Sequence, residues 1–125
     1  MKAKILIVDD SSLARRTTRQ ALEEQGYAVE EATDGATAIE RYFINRPDLV
    51  VLDMVMTGMY GLEVLEKLRV INPDVRVIVA TADIQQSTQD QVRAAGASAF
   101  INKPVNRKNL TDLVARLLAG EATWN

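Results

Sequence analysis

Five short apolar runs alternate with five amphipathic segments along the chain, and this alternation limits the possible folds more than any other feature. Runs this short predict β-strands, whereas segments with apolar residues at helical spacing predict α-helices. The apolar runs occupy residues 5–8, 27–32, 49–52, 75–80 and 99–101, of which residues 27–32 predict a weaker strand than the others. The predicted helices occupy residues 12–25, a segment capped by Asp34, residues 62–71, residues 84–95 and a last segment with leucines at 110–118.

The apolar runs are continuous rather than alternating with polar residues, which is typical of strands buried on both faces of a parallel sheet. Five strand–helix units are too few for a closed eight-stranded barrel. We therefore expect an α/β fold with an open, doubly wound sheet of five parallel strands. A chain of 125 residues is long enough for one hydrophobic core. Residues 1–125 are accordingly expected to form a single domain.

Two of the predicted helices have apolar stripes that indicate which side packs on the sheet. In the first helix the stripe contains Leu13, Thr17 and Ala21. In the second helix it is made of four residues, which are Ala38, Ile39, Tyr42 and Phe43. We expect these residues to point toward the sheet.

The composition excludes several classes of function. The chain has no cysteine and no histidine, which removes disulfides, thiol nucleophiles, imidazole bases and thiolate or imidazole metal ligands. The net charge of −2 argues against direct binding to nucleic acid, which needs a clear basic excess. No apolar run approaches the roughly 20 residues that span a bilayer, so we expect a cytoplasmic protein without membrane insertion.

Polar side chains follow four of the five predicted strands. The first strand ends in Asp9 and Asp10, the third in Asp53, the fourth in Thr81, and the fifth is followed by Lys103. Ligands of open α/β sheets bind beyond the carboxyl ends of the strands, where these side chains would meet. Three carboxylates in a small space repel one another unless cations intervene. Mg²⁺ fits such a site, since it takes a few carboxylates together with water and phosphate oxygens. The pattern predicts a site for a metal ion and a phosphoryl group.

Each of these residues also has a simpler interpretation. Asp9 and Asp10 would cap the first helix, Asp53 and Thr81 would be turn residues, and Lys103 would be a solvated loop lysine. We favour the shared site because chance seldom places these residue types together at the ends of successive apolar runs.

Four segments resemble the receiver domain of two-component response regulators, and most of all the stand-alone chemotaxis regulators. They lie within residues 4–104 and read ILIVDDSSLARR, DLVVLDMVMTGMYGLEVLEKLR, VRVIVATAD and GASAFINKP. The resemblance implies a flavodoxin-like fold with strand order 2-1-3-4-5. It also implies a regulator of phosphorelay signalling that catalyses only its own phosphorylation and dephosphorylation.

The resemblance assigns roles to the residues at the strand ends. Asp10 and Asp53 match direct Mg²⁺ ligands, Asp9 acts mainly through water, and Val55 offers its backbone carbonyl to the metal. Asp53 also matches the phosphoacceptor, which takes its phosphoryl group from a phosphohistidine. Because this chain has no histidine, the donor imidazole must belong to another protein.

Further roles follow from the same resemblance. Thr81 and Lys103 match the groups that hold the phosphoryl oxygens, and the bond between Lys103 and Pro104 is expected to be cis. Phe100 occupies the position of an aromatic residue that rotates when Thr81 moves toward the phosphoryl group. The simpler interpretation of Phe100 is core packing.

The expected partners are proteins. A sensor histidine kinase or a histidine phosphotransfer domain would dock on the first helix, which carries Leu13, Arg15, Arg16 and Arg19. A downstream protein would bind the face formed by the fourth helix, the fifth strand and the fifth helix. We expect a monomer or a weak dimer.

Three alternatives remain at this point. A phosphatase of the haloacid dehalogenase type needs a second aspartate two residues after the nucleophile, where this chain has Val55. A flavodoxin-like nucleotide binder needs a glycine-rich turn after the first strand, and none is present. A receiver fold that works as a phosphorylation-independent interaction module is the strongest alternative, although it leaves the full set of site residues without a role.

Overall fold

The computed structural model describes residues 2–55 and 60–124. Strands and helices alternate along them. The strands are β1 (Lys4–Val8), β2 (Ala28–Ala32), β3 (Leu49–Asp53), β4 (Val77–Thr81) and β5 (Ala99–Asn102). The helices are α1 (Ser12–Glu24), α2 (Gly35–Asn45), α3 (Gly61–Ile71), α4 (Gln86–Ala94) and α5 (Arg107–Leu118). Among the described residues, no helix has the length and apolar character needed to cross a membrane.

The five strands form one parallel sheet in the order β2-β1-β3-β4-β5. This confirms the predicted α/β fold and the strand order implied by the resemblance. The register pairs Val8 with Leu52 and Thr81 with Asn102. The carboxyl ends of the central strands therefore reach the same edge of the sheet, and the residues that follow them become neighbours.

Both faces of the sheet are apolar and covered by helices. Leu6 and Val8 of β1 pack in a core with residues of α2, α3 and α4, whereas Ile5 and Ile7 pack in a second core with residues of α1 and α5. Because successive side chains of a strand point to opposite faces, a strand covered on both sides is apolar at every position. This explains the continuous apolar runs.

The predicted face of the first helix is confirmed for Ala21 and wrong for Leu13 and Thr17. Leu13 is 69% exposed and Thr17 is also exposed, while Thr18, Ala21 and Leu22 are buried. Both stripes have helical spacing, and the packing of α1 between β1 and α5 selects the second.

The second helix shows a similar difference. Tyr42 is buried and its hydroxyl accepts a hydrogen bond from Asn72 Nδ2 at 3.0 Å. Phe43, which was expected in the core, is 64% exposed. Packing against α3 sets the rotation of α2, and periodicity within α2 does not contain this information.

Two boundaries also differ from the predicted ones by two residues. Val75 was expected in the fourth strand, but its amide donates to the Asn72 carbonyl at 3.0 Å and so belongs to a turn. The fourth helix was expected from residue 84, but Gln85 has an extended backbone and Gln86 is the first helical residue.

Candidate functional site

Three carboxylates meet at the carboxyl edge of the sheet. Asp9 directly follows β1, and Asp53 is the last residue of the neighbouring strand β3. Both side chains are buried, at 6% and 7% exposure, whereas the adjacent Asp10 is exposed. Each of the three offers a carboxylate oxygen within 4.8 Å of the others. Oxygen atoms this close form a cluster that could bind a metal ion.

Lys103 brings a positive charge to this cluster. Its Nζ lies 2.8 Å from Asp9 Oδ2 and 3.3 Å from Asp53 Oδ1. The backbone amide of Lys103 donates to the Thr81 carbonyl at 2.9 Å, which ties the residue to the end of β4. The bond between Lys103 and Pro104 is cis, as the resemblance implies. One ammonium group thus contacts two of the three carboxylates.

The surroundings raise the pKa of both Asp53 and Lys103. A higher pKa disfavours the charged form of the aspartate and favours the charged form of the lysine. Burial, together with the negative charge of Asp9, raises the pKa of Asp53, and the neighbouring Lys103 offsets only part of this. Burial lowers the pKa of Lys103, but contacts with Asp9 and Asp53 outweigh it and raise that pKa overall. Lys103 is therefore held as an ammonium ion, and negative charge on Asp53 is energetically unfavourable.

Thr81 and Val55 lie beside the cluster. Thr81 is the last residue of β4, is buried, and accepts a hydrogen bond from the Asp83 amide at 3.1 Å through Oγ1. A hydroxyl that accepts one hydrogen bond still has its own hydrogen to donate. Val55 has an exposed side chain, and its amide donates to Asp53 Oδ1 at 3.4 Å.

Phe100 lies on β5, which β4 separates from the strand that carries Asp53. It pairs in register with Val79 and is half-buried against the core beneath α2, α3 and α4. It also borders a cavity of about 610 Å³ that residues of β5 and α5 line, including Ile101 and Leu113. An aromatic ring with open space beside it is compatible with both core packing and movement.

The sequence analysis did not assign Arg15 and Gly61 to the site, although both contact its backbone. Arg15 was placed on a docking surface, yet its Nη1 donates to the Asp9 carbonyl at 2.7 Å. Gly61 directly precedes the helix predicted over residues 62–71 and was given no role, yet its amide donates to the Met54 carbonyl at 2.8 Å, next to Asp53. The spacing of Asp9 and Arg15 across a helix start was the available signal for the first contact. For the second, the only signal was a glycine at the start of an apolar helix.

Comparison with known proteins agrees with this geometry. The family described as the response regulator receiver domain matches residues 5–115. The chain belongs to this family. This chain is 40% identical over 119 residues to the response regulator MprA of Mycobacterium sp. (strain KMS). The match covers 95% of this chain and 50% of that protein. It is 35% identical to sporulation initiation phosphotransferase F of Bacillus subtilis (strain 168), covering 94% of this chain and 95% of that one.

Solved structures show the same similarity for the receiver domain. A response regulator receiver domain protein (CheY-like) from Methanospirillum hungatei JF-1 superposes with a TM-score of 0.91 at 31% identity, covering 96% of both chains. The chain spans about half the length of the mycobacterial relatives that it matches. As a receiver domain, it is part of phosphorelay signal transduction.

Proposed function

We propose that this receiver domain, residues 1–125, accepts a phosphoryl group on Asp53 from a phosphohistidine of a sensor histidine kinase or a histidine phosphotransfer domain in the cytoplasm. The observation that carries the proposal is a buried aspartate surrounded by two further carboxylates and one ammonium group. Such an arrangement is costly for the folded protein, and it has a purpose if a phosphoryl group and a cation are to be bound there.

The metal in this proposal is Mg²⁺, held by the carboxylates of Asp9, Asp10 and Asp53 and by the backbone carbonyl of Val55. The donor set supports this choice, because three carboxylate oxygens lie within 4.8 Å of one another and Mg²⁺ prefers hard oxygen ligands. When bound, Mg²⁺ would neutralise negative charge on the carboxylates and the phosphoryl oxygens.

In the chemical step, a carboxylate oxygen of Asp53 forms a bond to phosphorus while the bond between phosphorus and the donor imidazole nitrogen breaks. The imidazole keeps the electron pair of the broken bond, and the product is an aspartyl phosphate. Lys103 Nζ and the Thr81 hydroxyl donate to the phosphoryl oxygens, since positioning and charge stabilisation account for most catalysis of phosphoryl transfer. Hydrolysis by water reverses the modification, so the domain would act as a regulator that catalyses only its own phosphorylation and dephosphorylation.

The output of the switch would pass through Thr81 and Phe100. A phosphoryl group adds about −1.5 to −2 charges and three acceptor oxygens, which would draw the Thr81 hydroxyl toward the site. Phe100 would then move into the space behind Thr81 and change the face formed by α4, β5 and α5. Phe100 is half-buried and borders a cavity that residues of α4, β5 and α5 line, so a movement of its ring would change this face. The binding partner of this face would be a downstream protein and not a nucleic acid. The domain itself would be a monomer or a weak dimer.

The donor would dock on α1. Leu13 and Arg16 are exposed there, and Leu13 borders a cavity of about 430 Å³ that also reaches Asp53 and Lys103. Exposed apolar and basic groups beside the acceptor support a protein contact at this point. Arg15 and Arg19, which were expected on the same surface, instead bind Glu31 of β2.

The test is phosphorylation with phosphoramidate and Mg²⁺, followed by intact mass spectrometry. We expect the wild-type protein to gain one phosphoryl group, which hydroxylamine removes as it does from acyl phosphates. Asp53→Asn should abolish this gain because an amide is not a nucleophile, and Asp74→Asn, an exposed aspartate in the turn after α3, should keep it. Undiminished labelling of Asp53→Asn would contradict the assignment. A wild-type protein that gains no phosphoryl group would favour the phosphorylation-independent interaction module.

A further inference from the structure

We propose that Arg15 is a positioning residue that holds the peptide between Asp9 and Asp10 and thereby sets the metal affinity of the acidic cluster. This inference rests on the proposed function, because it concerns the same metal site. The observation behind it differs from the one behind the proposed function, because the Arg15 guanidinium contacts a backbone carbonyl and not the carboxylates.

Several hydrogen bonds hold the turn that carries Asp9 and Asp10. The Asp9 amide donates to the Ala32 carbonyl of β2 at 3.2 Å, the Ser11 amide donates to Asp9 Oδ1 at 2.9 Å, and Lys103 Nζ donates to Asp9 Oδ2 at 2.8 Å. Arg15 adds a contact on the backbone, since its Nη1 donates to the Asp9 carbonyl at 2.7 Å. That carbonyl belongs to the peptide unit that continues into Asp10. Rotation of this peptide would move the Asp10 backbone and change where its carboxylate lies.

Arg15 is itself fixed by Glu31 on β2. Arg15 Nε donates to Glu31 Oε1 at 2.9 Å, while the second oxygen, Oε2, accepts from Arg19 Nη1 at 2.6 Å. The Arg15 side chain is only 15% exposed. One guanidinium group thus bridges a carboxylate on the edge strand and the carbonyl of Asp9, which requires two donors in a rigid plane.

A lysine could not form both contacts from the same position. Its single ammonium nitrogen can approach either Glu31 or the Asp9 carbonyl, and its flexible stem is less constrained than a guanidinium plane. Groups that orient metal ligands are known to change metal affinity by about 10- to 100-fold when they are removed. Arg15 is such a group, because it contacts the peptide between the two predicted metal ligands Asp9 and Asp10.

The experiment measures binding of Mn²⁺, used in place of Mg²⁺, by electron paramagnetic resonance of the free ion. The variants are Arg15→Ala, Arg15→Lys and Glu31→Gln, and the control is Lys67→Ala, which removes one positive charge from an exposed position on α3. We expect about tenfold weaker binding for Arg15→Ala. Arg15→Lys and Glu31→Gln should bind with intermediate affinity, because each keeps part of the bridge. Lys67→Ala should stay within about twofold of the wild type, since long-range charge effects at exposed positions are screened.

The outcomes separate this inference from the proposed function. If the wild type binds Mn²⁺ and Arg15→Ala binds it as tightly as Lys67→Ala does, the positioning role is overturned while the metal site stands. If Arg15→Lys equals the wild type, positive charge alone is sufficient and the two-donor bridge is overturned. A wild-type protein without Mn²⁺ binding would overturn both proposals. Thermal unfolding of each variant shows whether it is folded, and Arg15→Lys and Glu31→Gln still test the bridge if Arg15→Ala does not fold.

Discussion

At the scale of single residues, Asp53 carries the clearest conflict between stability and the proposed chemistry. It is buried next to Asp9, and the raised pKa of Asp53 shows that its ionised form is disfavoured in the folded protein. A carboxyl group with a higher pKa in the folded state binds more protons there than in the unfolded state. Stability therefore falls as pH rises through the acid range above the ordinary aspartate pKa of 3.8. The charge of Asp53 lowers the free energy of unfolding at neutral pH.

Replacing Asp53 by asparagine should consequently stabilise the protein. In buffer without divalent cations at neutral pH, we expect Asp53→Asn to raise the free energy of unfolding by about 1 kcal/mol, the usual scale of a single substitution. The difference from the wild type should shrink as pH falls, because protonation of Asp53 then relieves the same repulsion. Urea unfolding at several pH values measures it, with Asp74→Asn as the control. A less stable variant, or a difference that is independent of pH, would contradict this account.

At the scale of elements, the start of α3 lies directly against the end of β3. A Cβ atom at Gly61 would stand 2.6 Å from the Asp53 carbonyl oxygen and 2.8 Å from Met54 Cα. Both neighbours are backbone atoms and cannot turn aside as a flexible side chain could. The absence of a side chain at residue 61 therefore allows the helix to approach the strand that carries the predicted acceptor.

Adding one methyl group at this contact should disturb the fold and the site together. We expect Gly61→Ala to lower the free energy of unfolding by about 2 kcal/mol, since overpacking against fixed atoms costs about 1–3 kcal/mol. Urea unfolding gives the value, and Ser87→Ala on the exposed side of α4 is the control. Stability within about 0.5 kcal/mol of the wild type, the usual range for surface changes, would show that the helix can move away without cost.

At the scale of the whole molecule, the site joins parts of the chain that are far apart in sequence. The contact between Lys103 and Asp9 spans 94 residues. The carboxylates come from the turn after β1 and from β3, and the ammonium group follows β5. Only the folded sheet brings these groups together, so a metal ion that binds all three carboxylates binds the folded state alone.

Mg²⁺ should accordingly stabilise the folded protein. At a Mg²⁺ concentration about ten times the dissociation constant, the free energy of unfolding should rise by about 1.4 kcal/mol. Urea unfolding with and without MgCl₂ measures the rise, with NaCl at the same ionic strength as the control. Asp53→Asn should show a smaller rise because one ligand is lost. Equal effects of MgCl₂ and NaCl would mean that the cluster responds to ionic strength only.

Much of the fold could be predicted because the signals are local. The apolar runs around Leu6, Val50 and Val79 are continuous since each strand is covered on both faces, and this pattern is visible within a few neighbouring residues. The residues at the strand ends were likewise visible. The structure brings carboxylate oxygens of Asp9, Asp10 and Asp53 within 4.8 Å of one another, and Lys103 contacts Asp9 and Asp53. Their roles in phosphoryl transfer stay predictions. The strand order came from the resemblance to receiver domains, not from periodicity.

The sequence by itself determined the strands, the helices and the kinds of group at the edge of the sheet, because each depends on residues close along the chain. The tertiary structure decided which side of each helix is buried, so that Leu13 and Phe43 are exposed while Leu22 and Tyr42 are not. It also decided that Arg15 binds Glu31 and the Asp9 carbonyl instead of lying free on α1. These features depend on how whole elements pack against one another. The hydrophobic periodicity within one element does not encode that packing.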